Sequence, residues 1–469
     1  MKRRFFLSLV LAAIAVAVFA QPRPKYIFYM IGDGMGLNHV ASTEMYLAEL
    51  GGYIGRKALC MTQFPVVGLA TTFSETNGIT DSSAAGTALA AGVKTGNGIL
   101  GQTTDGKHFP TIAEQLRDKG WAVGIMTSVS IDHATPGAFY ADVPSRKEYY
   151  TIGVQLARSH FEFFGGATFY QPYIKDKPEA ANIYDVCEKE GYKFYRGYEE
   201  FMKEGIDADK AILIQEHEGL TKDYLGKGRI PYAIDRRKGD LTLPQITDAA
   251  ITFLEKKKRP FFMMVEGGQI DWASHNDDAA TVIQETLDFD MAIRRAYQFY
   301  REHPDETLII VTADHETGGM ALGNHKYTLH LSLLENQKAS VGVISDRLKE
   351  LKEEYGKSLK YEQVQALFKE TLGLYDAVEV TDKEDAKLRA TFKQMKKNKA
   401  KDTETLYASL NALSEQAVHL LNKKAHIGWT TWSHSGAPVP VYAIGAGAER
   451  FTGVYDNTEI MQRILKLTE

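Results

Sequence analysis

The chain has 469 residues, 44% of them hydrophobic and 25% charged, which is the balance of a globular protein that buries a sizeable core in one large domain, with or without an insertion. Its formal net charge is −5, so it has no electrostatic reason to seek nucleic acid. The same composition excludes the disordered, collagen-like and coiled-coil classes.

At the N-terminus Lys2, Arg3 and Arg4 precede a run, Phe5 to Phe19, that is apolar apart from Ser8. Val18 and Ala20 then suit the small-residue positions before a cleavage site. This three-part pattern predicts a signal peptide over residues 1–20 and export of residues 21–469 to a periplasm or the exterior. The apolar run is short of the roughly twenty residues that span a bilayer, and no Cys follows it to take a lipid, so no stable membrane anchor is expected. Cleavage removes three positive charges and no acid, moving the net charge from −5 to −8. Two cysteines, Cys60 and Cys187, either pair in an oxidising compartment or stay as buried thiols.

Short β-branched or aromatic runs read as buried strands at Tyr26–Ile31, Val66–Thr72, Ala122–Thr127, Phe261–Val265, Leu308–Thr312 and Val439–Ile444. Helical patterns lie between most of them, as in Thr111–Lys119, closed by Gly120, and Pro244–Lys258. The alternation predicts an α/β fold, a three-layer α/β/α sandwich around a largely parallel sheet. From about residue 340 to 424 the rhythm breaks. Lys, Glu, Leu and Ala dominate at helical spacing, as in Val364–Leu372 and Leu406–Leu421, and predict a helical insertion within the one domain.

Residues with chemical potential cluster just past the strand runs, where open α/β sheets place their ligands. Asp33 stands in Gly32-Asp33-Gly34, which alone is an ordinary turn. Ser82 opens a small-residue run, Ser82 to Ala90, that looks like the start of a closely packed helix, whose positive end attracts phosphate. On that motif alone an N-cap serine explains the pattern. Gly86 to Thr95 resembles a Walker A loop, but Val93 separates Gly92 from Lys94-Thr95 and spoils it. Asp132 and His133 follow the third run. Glu266 ends another, and Asp271 and His275, four apart, would share a helix face suited to one metal. Asp314 and His315 follow a further apolar run. Each cluster alone has a structural explanation. Together they bring like charges to one rim, which needs a cation to compensate it. Mixed Asp/His ligation suits zinc and an oxygen-rich subset suits magnesium. Two ions about 4 Å apart would clamp a transferring phosphoryl group, with Ser82 as nucleophile.

In order along the chain, IGDGMG, TDSSAAGTALAAGVKTGNG, DHATPGAFYADVPSRK, RIPYAIDR, VEGGQIDWASH, VTADHETGG and WSHSG resemble the alkaline phosphatases over most of the mature length. The resemblance implies that Ser82 forms a phosphoserine intermediate in the hydrolysis of phosphate monoesters. It implies ligands Asp271, His275 and His434 for a first zinc that activates water, and Asp33, Asp314 and His315 for a second that activates Ser82. Asp33, Thr135 and Glu266 would hold a third ion, Mg²⁺, and Arg146 would grip the phosphate through its planar fork. Two positions depart from the pattern of some members, His133 where they have an acid and Trp272 where they have Lys. Both are expected to border the substrate, His133 acting on the third ion through water. Dimerisation is common in such a family, though no interface is readable here.

Two rivals are a phosphodiesterase of the same superfamily and a non-catalytic zinc- or phosphate-binding protein. The intact third-metal set with Arg146 favours monoesters over diesters, and retention of Ser82 beside complete ligand sets argues against a binder.

Overall fold

A computed structural model describes residues 23–174, 177, 179–215, 229–324, 327–404 and 407–469, so the expected signal peptide lies outside the described residues. Ten strands form the central sheet: β1 (Tyr26–Ile31), β2 (Val66–Thr71), β3 (Ala122–Thr127), β4 (Phe163–Gly166), β5 (Tyr192–Arg196), β6 (Lys210–Ile214), β7 (Phe261–Glu266), β8 (Thr307–Thr312), β9 (Val439–Gly445) and β10 (Gly453–Asp456). Their spatial order is β10-β2-β9-β8-β1-β7-β3-β4-β6-β5. All neighbours run parallel except β9, which is antiparallel to β2 and β8.

The six expected strands are present, within a residue or so of their expected ends. Residues of β3, β7 and β8 are buried throughout, as helices around the sheet require of parallel strands covered on both faces. The four strands not anticipated lie at or toward the sheet's two edges. Helices begin where capping chemistry directs. In α2 (Ile112–Asp118), which follows α1 (Ser82–Ala91) in the chain, Thr111 and Glu114 form a capping box. In α3 (Leu243–Glu255), Thr242 and Gln245 do the same, with Pro244 in the first turn. The Walker-like stretch does not form a phosphate loop, because α1 runs through its first half to Ala91 and ends at Gly92 in the left-handed conformation. Cys60 and Cys187 are buried free thiols.

Beyond α4 (Gln269–His275) and β8, the chain adds α5 (Val341–Tyr355), α6 (Tyr361–Leu372), α7 (Asp382–Lys396) and α8 (Ala412–Ala425). The helical pattern expected from Leu406 onward starts late. Asn411 caps α8 through Leu413 N, and before it Thr403–Glu404 pairs antiparallel with Ser409–Leu410. Leu406 itself lies outside the described residues. This hairpin interrupts the helices.

At the end of β9, Gly445 has φ +102°, and a Cβ there would lie 2.0 Å from the Thr307 carbonyl oxygen of β8. Gly445→Ala is expected to cost at least about 2 kcal/mol, since the backbone conformation is strained for a side chain and the obstacle is backbone. The denaturant midpoint should fall with the slope unchanged; an unaltered midpoint would show that the sheet relaxes there at no cost.

Candidate active site

The site is assembled at one rim of the sheet because four adjacent strands, in the order β8-β1-β7-β3, run parallel and end level. Ile31 pairs with both Glu266 and Thr312, and Thr127 pairs with Glu266. Asp33, Glu266, Asp314 and His315 therefore leave the sheet side by side. Gly34, with φ +72°, lets the turn after β1 press against α4: a Cβ there would lie 2.9 Å from the Asp271 Cα.

On α4, Asp271 and His275 share a face as expected, with Asp271 Oδ2 3.4 Å from His275 Nε2. His434 reaches them from far along the chain on a short ladder, His434-Ser435 against Glu316-Thr317. Its Nε2 lies 3.2 Å from His275 Nε2 and 3.6 Å from Asp271 Oδ1. A second group gathers at His315, whose Nε2 lies 3.3 Å from Asp33 Oδ1, 3.3 Å from Asp314 Oδ2 and 3.2 Å from Ser82 Oγ. A third joins Asp33, Glu266 and His133, with Thr135 donating to Asp33 Oδ2 at 3.2 Å. The members of all three groups are buried, and Asp271 also lies close enough to Asp33 and His315 to share an ion with them.

The hydrogen bonds around these groups define the imidazole tautomers. His275 Nδ1 faces the Trp432 carbonyl at 2.6 Å and His434 Nδ1 faces the Thr80 carbonyl at 2.8 Å, so each Nδ1 carries the proton. Thr317 donates to Asp271 Oδ1 at 2.5 Å and accepts from His315 Nδ1 at 3.3 Å, which sets that ring the same way. All three Nε2 atoms then turn lone pairs inward, at one another and at carboxylates. Asp33 Oδ1, Asp271 Oδ2, Asp314 Oδ2 and Glu266 Oε1 are buried without a well-formed hydrogen-bond partner. Such an array of converging lone pairs and acids is unstable alone and fits divalent cations. Without a cation, burial and the charges of Asp314, Asp271 and Glu266 push the Asp33 carboxyl well above its usual range, and burial does the same to Asp314. Burial also opposes ionisation of Asp271; in the cation-free state a proton on His275, raised by this same carboxylate, outweighs it and holds the acid ionised.

Ser82 begins α1 but does not cap it. Asp81 is the N-cap, accepting from Ala84 N at 3.0 Å, and it also takes the hydroxyl of Ser83 at 2.7 Å. Ser82 Oγ is left to face His315, so the two adjacent serines are separated by their partners. Arg146 donates to Asp81 Oδ2 at 3.1 Å through Nη1, while its Nη2 lies 3.1 Å from His133 Nε2. Burial, then the neighbouring guanidinium, lowers His133 to about 3 and keeps it neutral, so Nε2 accepts from Arg146.

All the expected site residues meet at this rim. Asp132 does not belong to it: its carboxylate turns away and accepts from Tyr170 N at 2.9 and 3.0 Å, a structural anchor. Trp272 stands at the site but is only 4% exposed, because Tyr407 stacks on it with ring centroids 4.1 Å apart and planes at 12°. Tyr407 was not foreseen, since its segment carries a helical pattern and no chemical motif. The cap is Asp81 and not the serine expected in that role; Asp, an equally favoured N-cap residue directly before Ser82, is the signal that points to it.

The family model described as alkaline phosphatase matches residues 24–469. Alkaline phosphatase 3 of Bacillus subtilis (strain 168) is 31% identical over 461 residues, covering 95% of this chain and 89% of that protein. Among solved structures, a cold-active alkaline phosphatase from a psychrophilic Shewanella sp. superposes with TM-score 0.78 at 26% identity, covering 95% of this chain and 100% of the other. A histidine-to-aspartate variant of the TAB5 alkaline phosphatase, with Mg bound in its M3 site, superposes with TM-score 0.62 at 25% identity, covering 96% and 99%. Motif order, sheet and rim agree with this likeness across nearly the whole length, and the chain belongs to the alkaline phosphatase family, hydrolases of phosphate monoesters.

Proposed function

We propose that the chain hydrolyses phosphate monoesters through a phosphoserine on Ser82, at a rim that holds two zinc ions and one magnesium. The observation that carries the reading is the set of inward-facing lone pairs around the Ser82 hydroxyl. Asp271, His275 and His434 would hold one zinc, and Asp33, Asp314 and His315 the other. Asp33, Thr135 and Glu266 would hold magnesium, with His133 beside them. Mixed Asp/His sets support zinc and the oxygen-rich set supports magnesium. The TAB5 variant with Mg in its M3 site is in keeping with that third ion. When bound, such ions stabilise charge on the attacking and leaving oxygens and lower the pKa of Ser82 and of water.

The protein's own part is positioning and charge. Arg146 would bring its guanidinium to the phosphate oxygens, held in place by Asp81 at Nη1 and by His133 and Tyr407 at Nη2. The positive end of α1 adds to the attraction. Ser82 Oγ attacks phosphorus in line, the bond to the alcohol oxygen breaks as the new P–O bond forms, and the alcohol departs with a proton. Water then enters from the side the alcohol left, releases inorganic phosphate and restores the serine hydroxyl, with net retention at phosphorus. The N-terminal pattern over residues 1–20 supports action outside the cytoplasm, where both metals and phosphate esters are accessible to an exported enzyme.

Ser82→Ala is expected to lower kcat on an aryl phosphate monoester by at least about 10³-fold and to abolish acid-stable labelling by phosphate. Ser83→Ala should keep activity within about tenfold of the parent, since that hydroxyl is turned to Asp81. Labelling that survives in the Ser82 variant and vanishes in the Ser83 variant would reverse the assignment.

Chelation is expected to abolish activity, with zinc and magnesium together restoring it. The stripped protein should also become less stable as pH rises from about 6.5 to 8. Asp33 and Asp314 sit far above their usual value near 3.8 and Glu266 rises to about 7, so the stripped native state binds protons that the unfolded chain has lost. Asp271, held low, stays ionised across that window, and His133, His315 and His434, which burial lowers, offset the acids only below the ordinary imidazole value near 6.5. Thermal midpoints of stripped and metal-loaded protein across that range check this; parallel pH profiles would show that cations do not neutralise these acids.

A further inference from the structure

The first metal set and Arg146 share a neighbour that the motifs do not contain. Tyr407 reaches the rim on the hairpin whose strands are Thr403–Glu404 and Ser409–Leu410. The hairpin is tied at its base: Thr403 donates to Glu415 of α8 at 2.5 Å, and Asn411 N donates to Ser345 Oγ of α5 at 3.0 Å. At the rim, the Tyr407 ring lies flat on Trp272 and meets the ring edges of His133 at 5.9 Å and His275 at 5.6 Å. Its hydroxyl oxygen lies 3.3 Å from Arg146 Nη2 and 3.3 Å from His133 Nε2. Stacking and these two polar contacts fix the ring in position and in plane. Tyr407 is half-buried while Trp272 beneath it is buried, so Tyr407 is the aromatic surface that an incoming molecule meets.

The direction of the reaction decides which part of the substrate that is. Ser82 Oγ lies with the second set, against His315. An in-line attack from there places the departing alcohol on the opposite side of phosphorus, toward His275 and the first set. Tyr407 borders that side, touching both His275 and the guanidinium that would hold the phosphate.

We propose that Tyr407 is a specificity-determining residue, the wall against which the leaving group of the phosphate ester packs, so that planar aromatic alcohols are favoured over small aliphatic ones. Trp272 then acts as its backing and does not itself meet the substrate. The proposal rests on the phosphomonoesterase reading above. An aromatic pair contributes enough beyond simple burial for the kcat/KM ratio of phenyl phosphate over ethyl phosphate to fall about five-fold in Tyr407→Ala.

The test measures that ratio in the metal-loaded full chain and in three variants. Tyr407→Ala and Tyr407→Leu should both lower it, the Leu variant keeping apolar bulk should the Ala variant fold poorly. Tyr407→Phe, which keeps the ring, should retain the ratio within about two-fold, a rescue that a role confined to the hydroxyl's contacts with Arg146 and His133 would not produce. An unchanged ratio in Ala and Leu, or an equal fall for both esters, overturns the proposal. A parent protein that hydrolyses neither ester would instead refute the phosphomonoesterase reading, so the two failures are distinguishable.

Discussion

The rim is dominated by one electrostatic problem, the crowding of buried carboxylates and imidazole lone pairs with no lysine or arginine inside the cluster among the described residues. Asp33, Asp271, Asp314 and Glu266 meet His275, His315 and His434 within a few ångströms, all shielded from water. Arg146 stands to one side, bonded to Asp81 and His133, and does not neutralise the cluster. Burial alone would drive such acids to take up protons. Keeping them ionised calls for compensating charge, and this donor set suits divalent cations.

The scaffold keeps that crowding in place by holding each member from behind. Carbonyl groups of Trp432 and Thr80 take the outer nitrogens of His275 and His434, and Thr317 bridges His315 to Asp271. Orientation from outside the ligand set is what lets lone pairs converge instead of swinging to solvent. The same logic applies at α1, where Asp81 takes the capping role, the second serine and the guanidinium. One carboxylate thereby frees Ser82, fixes Arg146 and sets the distance between them.

The strands under the rim were legible because β1, β3, β7 and β8 are covered on both faces, and coverage demands uninterrupted apolar runs. Toward the edges the demand relaxes. Tyr192–Arg196 alternates with Lys193 exposed, and Gly453–Asp456 is half exposed, so neither reads as a buried strand. The hairpin after α7 was hidden for a related reason: strands of two residues carry no periodicity, and the apolar residues around them continue the spacing of α8.

By itself the sequence determined the candidate ligand types, their position after apolar runs, and the i, i+4 pairing of Asp271 with His275. These depend on local spacing, which the covalent chain sets. Tertiary structure alone decided that Ser83 turns to Asp81, that Asp132 turns away from the cluster, and that Tyr407 covers Trp272. Each of these depends on what lies opposite a side chain in space: Asp81 beside Ser83, the Tyr170 backbone beside Asp132, a hairpin from a distant part of the chain above Trp272. A chain fixes neighbours along itself, and only packing fixes neighbours across it.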